Sequence, residues 1–198
     1  MSSFLAPIHF WLYGKINAQE ELVRDIASFA KSKGYIQDAG EYTAEPLPEL
    51  SVAIDLGNIH GWLQEKIEES ERRLARLVTD IVRADETRLS AIEEAARAFG
   101  SRHAVPKNAD AQDAHKAVND LLVNGMPCDT VESVTESASE RVAWKSTADL
   151  HAPYWTQIGG KGEHYWKIRA AVIGGMLSGS SLEFTADGNS FEITRKGV

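Results

Sequence analysis

The sequence predicts an α+β protein in which an N-terminal helical bundle with a duplicated helix motif packs on a small C-terminal ββαββ module. Three observations predict this class. Apolar residues follow a helical 3-4 spacing over the first part of the chain, strand-like alternation begins after Cys128, and Asp187-Gly188 is a hairpin turn signal. Strands that follow helices, rather than alternating with them, argue against a parallel βαβ sheet. We place the boundary between a helical region, residues 1–127, and an α+β module, residues 128–198.

The helical region contains an internal repeat. Residues 8–16, IHFWLYGKI, return as residues 59–67, IHGWLQEKI, at an offset of 51 positions. In each copy the expected buried face begins with the histidine and is interrupted at its fourth position by a polar residue, Gln19 or Ser70. The repeat predicts two equivalent helices, each with a histidine at the start of its buried face.

Four helices are expected before the boundary, because each apolar segment has local start or stop signals. Starts carry a proline or a capping side chain, and glycine marks three of the ends. The first helix is expected to start at Pro7 and end at Lys33-Gly34, and the second to run from Asn58 to the last apolar position at Ile81. The third is expected to run from Asp85 to Gly100, and the fourth from Asp110 to Asn124-Gly125, just before Pro127.

The C-terminal module is expected to contain two hairpins that flank one helix. The first hairpin has a buried side formed by Val142, Trp144, Ser146 and Ala148. The aromatic segment 151–155 and the glycine-rich segment 159–162 are expected to be loops, and the second one to be a flexible loop or lid. The expected elements are strands at 131–137 and 141–150, a helix at about 163–177, and strands at 182–185 and 191–194.

Composition excludes several classes of protein. The chain is 43% hydrophobic and 25% charged, which is typical of globular proteins, and its net charge of −8 argues against nucleic acid as a partner. The sequence has no run of about 18 apolar residues, which is the length needed to span a membrane. Its apolar start lacks the basic region of a signal peptide. The single cysteine, Cys128, cannot form an internal disulfide, so we expect a cytoplasmic protein.

From Val142 to Thr194 the layout resembles the C-terminal part of the 4-vinyl reductase domains and of the L-2-amino-thiazoline-4-carboxylic acid hydrolases. A strand with Trp144 leads to Ala152-Pro153-Tyr154, where those families have a Cys-Pro turn. A helix with Gly174-Gly175 and the hairpin at Asp187-Gly188 follow. The cysteines of those families are absent here. The resemblance covers about a quarter of the chain and implies a module that encloses small organic molecules.

Four residues are candidate metal ligands: His9, His60, Cys128 and His151. Imidazole and thiolate bind transition metals such as zinc or iron, and a symmetric helix pair would bring two histidines together. If the two helices were antiparallel, each histidine would approach the glutamate that extends the other copy, Glu20 or Glu71. The competing interpretation is that the histidines are packing residues with one hydrogen bond each.

Aromatic side chains are the candidate walls of a ligand pocket. The predicted ligand-binding residues are His9, Trp11, His60, Trp62, Trp144, His151, Tyr154 and Trp155. A few polar groups among aromatic rings are typical of small-molecule sites, although the same rings would also serve as a core between sheet and helix. Cys128 is also the candidate nucleophile, in a loop where catalytic groups often lie.

Three functions are consistent with these features. The first is a small-molecule-binding protein with an aromatic and histidine pocket between the two parts, with or without a metal ion. The second is a hydrolase that uses metal-bound water or Cys128 as nucleophile. The third is an oligomerisation module whose amphipathic helices pair between chains as a homodimer.

Overall fold

The computed structural model describes residues 5–197 and has the expected α+β architecture. Its helices are α1 (Pro7–Ser32), α2 (Leu50–Ala53), α3 (Ile59–Ala84), α4 (Arg88–Arg102), α5 (Ala111–Leu121), α6 (Ala152–Thr156) and α7 (Glu163–Met176). Short 3-10 turns lie at Ala39–Glu41 and Pro127–Asp129. The strands are β1 (Glu132–Ser137), β2 (Arg141–Ser146), β3 (Leu182–Asp187) and β4 (Ser190–Arg195), and they form one antiparallel sheet in the order β1-β2-β4-β3. The predicted fold class is confirmed.

Helices α1 and α3 carry the two copies of the repeat and run parallel, in register with each other. Gln19 contacts Ser70 and Glu20 contacts Arg73, at sequence separations of 51 and 53 residues. The predicted apolar positions of both helices are buried, and they are Leu12, Ile16, Val23, Ile26 and Ala30 in α1 and Leu63, Ile67, Leu74, Leu77 and Ile81 in α3. Parallel packing in register places equivalent residues of the two copies opposite each other.

Side chains from both predicted regions share one hydrophobic core. Phe99 of α4, Trp144 of β2, Ile168 of α7 and Ile193 of β4 belong to it. A second, smaller cluster joins the first halves of α1 and α3 with Val123. The cores of the two regions are therefore continuous in space.

Helices α4 and α7 cross at very short range, and glycine permits this approach. A Cβ atom on Gly100 would lie 2.0 Å from the carbonyl oxygen of Val172, and one on Gly175 would lie 2.1 Å from that of Arg97. These distances are far below van der Waals contact, so any side chain at either position would push the helices apart. The crossing fixes the C-terminal helix on the helical region.

In the sheet, Trp144 lies opposite Phe191 and Val142 opposite Ile193 in the β2–β4 pair. The expected buried side of β2 is confirmed for Val142, Trp144 and Ser146. The expected strand, however, is too long. The Ser146 hydroxyl donates to the carbonyl oxygen of Ala148 at 2.8 Å, and this local turn ends β2 at Ser146 and leaves Ala148 exposed.

Two other local predictions are corrected. Asp85 does not cap α4, because its carboxylate accepts from the backbone N–H and the hydroxyl of Thr87, and the helix begins only at Arg88. Segment 151–155 is not a plain loop, because residues Ala152–Thr156 form the short helix α6, with Pro153 in its first turn. Asn58 and Asp110 do cap α3 and α5, as expected.

In the part of the chain that the structure describes, no helix combines the length and apolar character needed to cross a membrane.

Candidate functional site

A network of buried polar side chains lies where α1 and α3 meet the C-terminal module. It starts from the two polar residues that interrupt the buried faces of the repeat. The amide nitrogen Nε2 of Gln19 donates to Ser70 Oγ at 3.3 Å and to Glu71 Oε1 at 3.1 Å. All three side chains are at most 8% exposed. The polar positions of the repeat therefore meet each other across the helix pair.

The two glutamates that extend the repeat are both buried, each with 1% of its surface exposed. Glu20 is held by Arg73, whose Nη2 lies 2.6 Å from Glu20 Oε1. Glu71 has a different partner, since His151 Nδ1 lies 3.0 Å from Glu71 Oε1. Glu71 Oε2 has no hydrogen-bond partner within residues 5–197. Equivalent carboxylates thus have unequal surroundings.

His151 is fixed on every side. Its ring stacks on Tyr165 with centroids 3.6 Å apart, and Asp149 accepts a hydrogen bond from its backbone N–H. Its Nε2 lies 3.2 Å from Asn124 Oδ1, while Asn124 Nδ2 donates to Glu132 at 2.7 Å. Because the amide nitrogen faces Glu132, oxygen atoms face both ring nitrogens of His151. Glu71 and Asn124 therefore hold the ring from its two opposite nitrogen edges.

The network continues to α7 through Arg169. Arg169 Nη2 lies 3.6 Å from Glu132 Oε1, and its Nη1 donates to the carbonyl oxygen of Val123 at 3.2 Å. The Tyr165 hydroxyl donates to the same carbonyl at 3.3 Å, and burial raises the pKa of Tyr165 well above its usual range. We call this set the junction network, and its members are Gln19, Ser70, Glu71, Asn124, Glu132, His151, Tyr165 and Arg169.

Two cavities border the junction network. The Glu71 cavity, of about 330 Å³, is lined by Gln64, Ile67, Glu71, Gly125, Asp129, Leu150, His151 and Tyr154. The Lys15 cavity, of about 310 Å³, is lined by Trp11, Lys15, Asn119, Asn124, Gly125, Met126, Pro127, Thr130, Val131 and Glu132. Gly125 borders both. It has a φ of 72°, and a Cβ atom there would lie 2.4 Å from Leu150, so glycine allows this segment to pass between the cavities.

Lys15 is a buried amine at the edge of its cavity. Only 5% of the residue is exposed, and Nζ lies 4.1 Å from the centroid of the Trp11 ring. Burial lowers the pKa of Lys15 to about 8, and the charge of Arg169 adds to this effect. Glu132 and Asp120 oppose it. A neutral amine is therefore accessible near physiological pH.

The predicted histidine pair does form, but not in the core. The rings of His9 and His60 lie 5.6 Å apart, and His9 Nδ1 accepts from the backbone N–H of Ala6. His60 is exposed, so the prediction that it starts the buried face of its helix is wrong. Helix α3 instead buries Ile59, which lies one turn before the buried Leu63 and faces the core with it.

The other predicted pocket residues are dispersed. His151 and Tyr154 line the Glu71 cavity, and Trp11 lines the Lys15 cavity and donates from its indole nitrogen to Asp120 at 2.9 Å. Trp62 packs beside Tyr13, whereas Trp144 stacks on Phe191 in the sheet and Trp155 is completely buried. The tryptophans of the repeat and of the module therefore do not line a common pocket.

The four predicted metal ligands do not form one group, although His9 and His60 lie near each other. Among residues 5–197 no group of three or more His, Cys, Asp and Glu side chains is placed to hold a metal ion. Cys128 is exposed, and its thiol has no hydrogen-bond partner in the described chain. Since the helices are parallel, the approach of each histidine to the glutamate of the other copy, expected for antiparallel helices, does not occur.

Sequence reasoning missed Lys15, Asn124, Glu132 and Arg169. A signal existed for Lys15, because it belongs to the repeat and adjoins the buried face at Ile16. The sequence marks Asn124 only as a helix stop, and nothing in the local pattern marks Glu132 or Arg169 as buried or half-buried polar residues. Their surroundings arise from elements that are distant in sequence.

Comparisons of the chain with protein-family models, with curated proteins and with solved structures found no match. The resemblance of residues 142–194 to the vinyl reductase and thiazoline hydrolase families therefore remains an expectation.

Proposed function

We propose that the chain is a small-molecule-binding protein whose ligand carries a protonated amine and occupies the Glu71 cavity, between the helical region and the C-terminal module. The observation that carries this proposal is the buried Glu71 carboxylate, one of whose oxygens has no partner among the described residues. An unpaired buried acceptor costs about 1–3 kcal/mol, and a ligand that donates a hydrogen bond to it would recover that cost.

The walls of the Glu71 cavity support an organic cation. Ile67, Leu150 and Tyr154 supply apolar surface, and Asp129 adds a second carboxylate. Burial raises the pKa of Tyr154, and the charges of Glu68 and Glu71 raise it further. The field at Tyr154 is therefore negative. A volume of about 330 Å³ suits a ligand the size of one aromatic ring with a short amine arm.

The other two functions have less support. A cysteine hydrolase needs a base beside the thiol, and Cys128 has no such partner in the described chain. A metal-dependent hydrolase needs a group of ligands that residues 5–197 do not form. The apolar faces of α1 and α3 are covered within one chain, which leaves them unavailable for pairing between chains.

The proposal is tested by titrating the protein with benzylamine while recording the backbone amide NMR signals of Gly125 and His151. Benzyl alcohol and phenylacetate are the neutral and anionic comparators. We expect benzylamine to bind at least about tenfold more tightly than either, because a hydrogen bond to a charged acceptor is worth about 1.5–3 kcal/mol. Glu71→Gln should abolish this preference.

Glu65→Gln is the matched control, since Glu65 is an exposed carboxylate of α3 that does not line the Glu71 cavity. It should keep most of the preference for benzylamine. Thermal unfolding of both variants checks that they fold. Equal binding of the three probes, or unchanged benzylamine binding by folded Glu71→Gln, would contradict the proposal.

A further inference from the structure

The Lys15 cavity is bordered by the amine of Lys15, which is not part of the junction network. In residues 5–197 the ammonium group of Lys15 makes no ion pair within 4.0 Å, although two carboxylates lie near enough to influence it. A lysine buried for packing alone is expected to find such a partner, because an unpaired charge is costly to bury. Lys15 instead borders an open cavity of about 310 Å³.

The repeat provides an internal reference for this amine. Lys66 occupies the equivalent position in the second copy, and its Nζ lies 3.0 Å from Glu69. It is also farther from its tryptophan, at 5.6 Å from the Trp62 centroid compared with 4.1 Å for Lys15 and Trp11. Lys66 is thus a half-buried cation held by an ion pair, while Lys15 is more deeply buried and has no ion pair within residues 5–197.

We propose that Lys15 is a carbonyl-reactive amine, which forms a Schiff base with a small uncharged aldehyde or ketone held in the Lys15 cavity. This site is separate from the Glu71 cavity, with which it shares only Gly125. The Schiff-base proposal therefore does not depend on amine binding in the Glu71 cavity.

The reaction balances without any further reagent. The lone pair of neutral Nζ attacks the carbonyl carbon, the N–C bond forms, and the π electrons of the carbonyl move to its oxygen. One proton passes from nitrogen to that oxygen and gives a carbinolamine. The second N–H proton then passes to the hydroxyl group, which leaves as water while the nitrogen lone pair forms the C=N bond. Glu132 lines the same cavity and can carry these protons.

The surroundings of Lys15 define the class of substrate. Trp11, Met126 and Val131 give the cavity an apolar and aromatic wall, and the amide of Asn119 can hydrogen-bond a carbonyl oxygen. Glu132 and Asp120 place negative charge near the amine. An uncharged carbonyl compound with a planar or apolar substituent fits these walls better than a carboxylate or a phosphate does.

The test uses the whole chain, benzaldehyde and sodium cyanoborohydride at pH 7.5, which convert each Schiff base into a stable benzylamine. Peptide mapping by mass spectrometry then gives a labelling rate for every amine. We expect Lys15 to be labelled at least about tenfold faster than Lys66, since a pKa of about 8 leaves far more neutral amine than an ordinary lysine has. The Lys15 rate should level off above about pH 8.

Two controls make the result decisive. In concentrated urea the advantage of Lys15 should disappear, and 4-carboxybenzaldehyde should label Lys15 more slowly than benzaldehyde in the folded chain. Because labelling is measured on the unmodified sequence, no variant has to fold. Labelling of Lys15 no faster than that of Lys66 in the folded chain would overturn the proposal.

Discussion

The two copies of the repeat share six of their nine residues and lie side by side, yet their equivalent polar residues have different surroundings. In the first copy Lys15 is buried without an ion pair in the described part of the chain, and Glu20 is neutralised by Arg73. In the second copy Lys66 is paired with Glu69, and one oxygen of Glu71, beside a cavity, has no hydrogen-bond partner among the described residues. Duplication therefore reproduced the helices but not the environment of their charges.

A single position accounts for the difference between the glutamates. Arg73 neutralises Glu20 from the neighbouring helix, and the residue equivalent to Arg73 in the first copy is Leu22. Since Leu22 offers no charge, Glu71 depends on His151, which comes from the C-terminal module. The element that covers each copy, rather than the copy itself, decides which glutamate remains available for chemistry.

The largest effect on this comparison is expected from Arg73→Leu, which copies Leu22 into the second helix. It leaves Glu20 buried without its only hydrogen-bond donor in the described chain, so we expect a loss of about 3–5 kcal/mol in the free energy of unfolding. Urea unfolding measures it. Arg72→Leu, which breaks an exposed pair with Glu68, should cost less than about 1 kcal/mol. If the two variants lost similar amounts of unfolding free energy, the Glu20–Arg73 pair would contribute no more to stability than an exposed ion pair does.

The second expected effect depends on pH and comes from Lys15→Met. Since burial lowers the pKa of Lys15 from 10.5 to about 8, the unfolded chain binds this proton first as the pH falls, and folding loses stability between those values. Each unit of pKa is worth about 1.4 kcal/mol. As the pH falls from 10.5 to 8, the free energy of unfolding of the variant should therefore rise by roughly 3 kcal/mol relative to that of the parent protein.

Urea unfolding from pH 10.5 down to pH 7 measures this gain. Lys66→Met is the matched control: it should lose up to about 1 kcal/mol with its ion pair, and its difference from the parent should not grow over the same range. If the two methionine variants showed the same pH profile, Lys15 would not have the buried environment described above.

The smallest effects are expected at the histidines that open the two copies. His9→Ala removes an acceptor for the backbone N–H of Ala6 and should cost about 1 kcal/mol. His60→Ala removes an exposed side chain and should change the stability by less than about 0.5 kcal/mol. Thermal unfolding compares them. A larger cost at His60 than at His9 would contradict the asymmetry of their burial.

Much of the fold follows from local sequence. The apolar 3-4 spacing identified the buried faces of α1 and α3 apart from their first positions, and Asn58 and Asp110 marked helix starts that the structure confirms. The Asp187-Gly188 signal likewise predicted the β3–β4 hairpin, although both strands are longer than expected. These features depend on residues within one or two turns of each other, and such spacing is visible in one chain without a partner.

The candidate site was only partly predictable. His151 and Tyr154 were selected because an aromatic segment beside a polar group is typical of a pocket, and both line the Glu71 cavity. The pairing of Glu71 with His151, however, joins residues 80 positions apart, and no local pattern encodes that contact. The prediction for His60 was wrong because the buried face of α3 starts one residue earlier, at Ile59, and this leaves His60 exposed.

By itself, then, the sequence determined the α+β class, the duplicated helices and the identity of the polar residues that interrupt their buried faces. Only the tertiary structure decided that these helices are parallel, and that Lys15 is buried while Lys66 is half-buried and paired with Glu69. Within residues 5–197 it also left Glu71, and not Glu20, with an oxygen that has no hydrogen-bond partner. The physical reason is that period and capping act over a few residues, whereas the charge and burial of a side chain are set by whatever the rest of the chain packs against it.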